Sequence, residues 1–194
     1  MNIKKPLDVF ESPVVVSTLR QMVKLNKAYT GREMAKMINV SNKTASTHLE
    51  NLWKQDVLAK DVAGKSYSYR LNKDNVIVSR LILEMILLER KFFNEIIREV
   101  VNTFKARAKR IILFGSYARD EQTTESDLDI CVIRGRALPV ELVESLENSL
   151  LTRYGITLAI IQKTEKEWSS SKSRLIKNIK KEGKILFEKE IGRG

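Results

Sequence analysis

Residues 110–133 read RIILFGSYARDEQTTESDLDICVI. The apolar run Ile111–Phe114 ends in Gly115-Ser116, a polar stretch of about ten residues follows, and a second apolar segment begins with Asp127 and Asp129. Apolar runs of this length, bounded by turn residues, predict strand, tight turn, short helix, loop and strand. Side chains alternate across a strand, so Asp127 and Asp129 fall on one face and Leu128, Ile130 and Val132 enter a core from the other. Two carboxylates so close repel, and a divalent cation relieves the repulsion. A set of few, oxygen-only ligands suits Mg²⁺, which completes its shell from water and substrate phosphates. Glycine lets a backbone approach a phosphate closely, and the N–H groups opening a helix bind anions. Gly115, Ser116 and, one turn later, Arg119 are therefore the candidate phosphate-binding residues. Asp127 and Asp129 are the candidate catalytic and metal-binding pair.

Gly115-Ser116-x-Ala118-Arg119-x-Glu121, followed by Ser126-Asp127-x-Asp129, resembles the signature of the DNA polymerase β-type nucleotidyltransferases, above all their minimal members. The resemblance extends over the second half of the chain, down to Glu182-Gly183 and Leu186-Phe187-Glu188 near its end. It implies a nucleoside triphosphate substrate, Mg²⁺ as cofactor, and transfer of a nucleoside monophosphate to a hydroxyl. At two places the sequence departs from the pattern. Asp120 stands where the family usually has glycine. The family's third carboxylate belongs on the strand expected over 156–161, which holds no acid: Ala159 is the best match to its place, with Thr157 the other candidate. Glu165 and Glu167 lie past the end of that strand. Two carboxylates suffice for a nucleotide-bound metal, but the second metal of such chemistry is left poorly held.

The 194 residues leave room for two small domains, and 43% apolar residues can bury cores. No run is long and apolar enough to span a membrane, and the N-terminus lacks a signal peptide's apolar stretch, so a cytoplasmic protein is expected. The single Cys131 excludes an internal disulfide and a cysteine-rich zinc site. A net charge of +11 favours an anionic partner.

The pattern predicts an α/β (α+β) protein with two domains. Residues 1–72 read as three helices and a hairpin. Pro13 opens the first helix, Thr30 with Glu33 forms a capping box, Asn39 makes a left-handed cap and Ser41 caps the third helix. Gly64-Lys65 turns the hairpin. This arrangement resembles a winged helix-turn-helix domain, which implies double-stranded DNA as partner, with the third helix in the major groove. Ala45, Leu49, Leu52 and Trp53 form its expected core face. Asn42, Lys43, Ser46, Thr47, Lys65 and Arg70 are the candidate DNA-binding residues. Residues 73–105 predict one long helix without Pro or Gly, whose wide apolar stripe marks it as a linker and the seam of a homodimer. Residues 106–194 form the nucleotidyltransferase-like domain with a small mixed sheet, in which a single basic helix is expected over 165–181. The alternative function is a DNA-binding regulator, or an antitoxin-like partner, whose transferase domain only senses nucleotide.

Overall fold

The computed structural model describes residues 6–64, 66–123 and 125–189. Two compact units divide the chain, Met1–Lys91 and Phe92–Gly194.

In the first unit, Ser12 caps helix α1 (Pro13–Leu25), and Asn26 ends it in the left-handed region. A two-residue strand, β1 (Tyr29–Thr30), leads into α2 (Gly31–Met37). The Thr30–Glu33 capping box is present. Asn39 has φ 53°, and Ser41 caps α3 (Asn42–Lys54) through the Thr44 amide. β2 (Leu58–Ala63) and β3 (Ser66–Leu71) form an antiparallel hairpin, with β1 on the other side of β3. Val15, Leu19, Met22, Met34, Ala45, Leu49, Leu52, Leu58 and Leu71 close the core.

Trp53 is not part of that core. It is 40% exposed, and the Lys60 ammonium lies 4.3 Å above its ring. Lys60 also sits 4.0 Å over Tyr67 and donates to Glu50, which accepts a second hydrogen bond from the Tyr69 hydroxyl, each at 2.8 Å. The sequence pattern placed Trp53 beside Leu52 on the apolar face. An indole whose face meets a cation is satisfied at the surface instead.

The long helix expected from residue 73 begins later. Asn75, 5% exposed, accepts from the Ile77 amide, and residues Val78–Ile82 form a π-helical turn before α4 (Leu83–Phe104). Ile86 packs in the first core and Ile96, Val100 and Phe104 in the second. Met85, Leu87, Leu88 and Phe92 remain 42–48% exposed.

The second unit is a four-stranded mixed sheet in the order β6-β5-β4-β7. β4 (Ala108–Leu113) pairs antiparallel with β5 (Leu128–Arg134) and with β7 (Lys184–Glu188), while β6 (Leu158–Thr164) runs parallel to β5. Between β4 and β5 lies the short helix α5 (Gly115–Arg119). α6 (Val140–Tyr154) and the end of α4 cover one face of the sheet, packing on Leu128, Ile130 and Val132. α7 (Glu165–Ser170) and α8 (Arg174–Glu182) cover the other, where Trp168, Ile176 and Ile179 meet Ile112, Cys131 and Ile133. The single helix expected over 165–181 is thus two. Thr164 caps the first, and Ser171 takes an extended conformation that breaks it. Cys131 is fully buried in this second core, and burial pushes its thiol up to about 11.

A candidate nucleotide site at the start of the central strands

The site is built where β4 ends and β5 begins. The Phe114 amide donates to the Asp129 carbonyl at 3.0 Å, which brings the turn after β4 alongside β5. Gly115 follows with φ 70°, a left-handed conformation that strains any other residue. A Cβ on Gly115 would collide with the Asp129 carboxylate, so glycine is required by space as well as by backbone. Ahead of Asp127 the loop is tied by Ser126, whose hydroxyl accepts from the Thr123 amide at 2.9 Å.

Asp127 is exposed and Asp129 partly buried. Asp129 lies on the sheet face that carries Cys131 and Ile133, as strand alternation requires. Burial, and then the charge of Asp127, raise its carboxyl above the ordinary aspartate range, while Arg119 opposes the shift. A bound cation would favour the charged form of Asp129. The Tyr117 phenol, raised by burial and by Asp127, stacks on Phe93 at 5.7 Å between ring centroids. The sequence reading passed over Tyr117, since an aromatic inside a turn motif carries no chemical signature of its own.

Arg119 points to the same corner, but it is engaged. Its Nε donates to Glu121 at 2.7 Å, and a second nitrogen lies 3.8 Å from Glu182, the last residue of α8. Asp120 adopts φ 60°, ψ 32°, the left-handed cap of α5. That conformation is the physical reason for a glycine at this position. The Asp120 carboxylate lies 3.8 Å from the Lys184 ammonium, the first residue of β7.

Across the sheet, Asp129 is in register with Ala159 on the parallel strand β6. Thr157 stands just before β6, where its carbonyl accepts from the Leu128 amide at 2.8 Å. Glu165 starts α7 beyond the other end of β6, six residues from Ala159, or roughly 20 Å along a strand. It pairs there with Arg110. Glu167 closes the capping box of α7. Among the described residues, no group of three or more His, Cys, Asp or Glu side chains is placed to hold a metal ion. Asp127 and Asp129, adjacent at the start of β5, would hold an ion shared with phosphate oxygens.

The other candidate residues lie on the first unit. Asn42 and Lys43 open α3 and are exposed. Ser46 is partly buried against Gly31, whose missing side chain leaves room for the Ser46 hydroxyl. Thr47 is exposed and donates to the Lys43 carbonyl at 2.9 Å. Arg70, on β3, lies 3.4 Å from Asp61 across the hairpin. Lys65 falls outside the described residues. No helix among the described residues is long and apolar enough to cross a membrane.

The chain is 32% identical over 100 residues to a Methanocaldococcus jannaschii protein named, provisionally, protein adenylyltransferase MJ0604, covering 51% of this chain and 98% of that protein. A second protein of the same organism and designation, MJ1217, is 39% identical over 59 residues, 30% of this chain and 60% of its own. Among solved structures, that of a toxin–antitoxin with AMP-PNP aligns at a TM-score of 0.38 and 21% identity, covering 48% of this chain and 74% of the other. The family described as Polymerase beta, Nucleotidyltransferase matches residues 94–191. The chain belongs to the polymerase β nucleotidyltransferase family.

Proposed function

We propose that the chain binds a Mg²⁺–nucleoside triphosphate at the Gly115–Asp129 corner and transfers its nucleoside monophosphate slowly to a hydroxyl acceptor. The observation that carries this reading is the approach of Gly115 to Asp129, which sets the Gly-Ser turn directly beside the paired acids Asp127 and Asp129. In the transfer, the acceptor oxygen bonds to the α-phosphorus, the α–β phosphoanhydride bond breaks to release pyrophosphate, and the hydroxyl proton passes to solvent water. Asp127 and Asp129 hold the metal, whose role when bound is to neutralise phosphate charge. Gly115 and Ser116 receive the phosphates, and Arg119 adds a charged donor. The designations of the two archaeal relatives favour a protein hydroxyl as acceptor and adenylate as the transferred group.

The first unit fits a winged helix that binds duplex DNA, with Asn42, Lys43, Ser46 and Thr47 at the N-terminal half of α3 and Arg70 on the wing; Lys65 is a candidate by its place in the sequence alone. In this reading residues 1–72 bind DNA, 73–105 link and dimerise, and 106–194 carry the transferase site. Of the base-reading candidates, Lys43 is the best placed, because Ser46 packs on Gly31 and Thr47 on its own helix.

A second reading, a DNA-binding regulator or antitoxin-like partner that senses nucleotide without transfer, is favoured by Ala159 facing Asp129 where the family has an acid. One experiment separates the two. Calorimetry with ATP, with and without Mg²⁺, tests the site, and label transfer from α-phosphorus-labelled ATP tests turnover. Binding with no transfer supports the sensor, slow transfer supports the enzyme, and absence of Mg²⁺-dependent binding overturns both.

A further inference from the structure

Two pairs of neighbouring residues face each other across the second unit. Arg119 and Asp120 end α5, and Glu182 and Lys184 flank Gly183 at the junction of α8 and β7. Arg119 lies 3.8 Å from Glu182, and Asp120 3.8 Å from Lys184. Gly183 is a tight point, since a Cβ there would meet both the Ile179 carbonyl and the Ile112 side chain. The junction is therefore fixed where it stands, and Glu182 is delivered to Arg119 by packed elements. Glu121, two residues on from Arg119, grips the same guanidinium at 2.7 Å.

We propose that Glu182 and Glu121 form an acidic clamp that holds Arg119 away from the phosphates, so that nucleotide binding requires Arg119 to exchange these carboxylates for the polyphosphate. The inference rests on the proposed placing of Arg119 at the phosphates. Glu182 acts through Arg119 and is a positioning residue. The charges around Arg119 explain the arrangement. Arg119 is the cation whose charge acts on Asp129, and Glu121, Glu182 and Asp129 surround its guanidinium, while Lys181 lies 4.0 Å from Glu182 on the other side. A ligand that recruits Arg119 must displace these contacts. A ligand that leaves Arg119 in place, such as the nucleoside without phosphates, does not feel them. The clamp thus sets a threshold on phosphate content. It also links phosphate occupancy to the last turn of the basic helix α8.

The test is a calorimetric double-mutant cycle on the full chain with Mg²⁺ATP and with adenosine. The contacts are solvent-accessible, and exposed pairs contribute modestly, so Glu182→Gln and Glu121→Gln should each tighten Mg²⁺ATP binding by about two- to fivefold. Adenosine binding should not change, and Glu182→Asp should retain the parent affinity. Arg119→Ala should weaken Mg²⁺ATP binding, and in that background Glu182→Gln should have no effect. An unchanged ATP affinity in Glu182→Gln and Glu121→Gln overturns the clamp, as does an equal change for adenosine or an effect that persists without Arg119. If the unaltered chain binds Mg²⁺ATP while the glutamate variants match it, only the clamp fails. If neither parent nor variants bind, the proposed site fails with it.

Discussion

Asp129 and Ala159 stand side by side on the parallel strands β5 and β6, in register and on the same face of the sheet. Restoring an acid at that place should therefore require no backbone movement. Ala159→Asp should raise nucleotidyl transfer above the parent by about tenfold or more, because each ~1.4 kcal/mol of barrier is a factor of ten. Asp129→Asn should abolish Mg²⁺-dependent nucleotide binding. A label-transfer assay and calorimetry read the two outcomes, and an unaltered chain that already turns over at an ordinary enzymatic rate would contradict the assignment of Ala159.

DNA binding is expected to depend on Lys43 and Arg70. Lys43→Ala and Arg70→Ala should each weaken duplex binding in fluorescence anisotropy and lower the log–log salt slope by about one. Asp61 draws Arg70 across the hairpin, so Asp61→Asn should strengthen binding. A chain with no affinity for duplex DNA at low salt would remove this function.

The β2–β3 hairpin is tied to α3 by a contact with a defined pH dependence. Hydrogen bonds from Lys60 first and Tyr69 second hold the Glu50 carboxyl below the ordinary glutamate range. A depressed carboxylate stabilises the fold fully above its unfolded value and loses that contribution as pH falls through its folded value. Glu50→Gln should therefore lower the melting temperature at neutral pH, and the difference should close in strong acid. Thermal melts of both proteins across the acid range measure it.

The exposed stripe on α4, with Met85, Leu88 and Phe92, is expected to pair with a second copy of the chain. Sedimentation at micromolar concentration should show a dimer, and Leu88→Glu or Phe92→Glu should give a monomer.

Much of this was legible in the sequence because local rules were obeyed. Pro13, Thr30, Asn39 and Ser41 mark helix ends by a fixed φ, by side-chain caps or by a left-handed backbone, and the structure uses all four. The joint Gly-Ser and Asp-x-Asp pattern pointed to the family that matches residues 94–191. What escaped was set by distant contacts. Nothing near Trp53 announces that Lys60 of the hairpin will cover its ring. Nothing near Arg119 announces Glu182. The strand β1 is two residues long, and only its pairing with β3 makes it a strand. The strand after Gly155 begins at Leu158 rather than at Ile156, because its start is set by β5 alongside.

The burial of Cys131 has a practical consequence. Its thiol sits at zero exposure in the middle of β5, with its ionisation suppressed to about 11, so thiol reagents should meet no reactive group in the folded chain. A cysteine introduced at an exposed place, on the hairpin or on α8, can then carry a dye without removal of the native one. The rate at which Cys131 itself becomes labelled would act as a clock for opening of the central sheet.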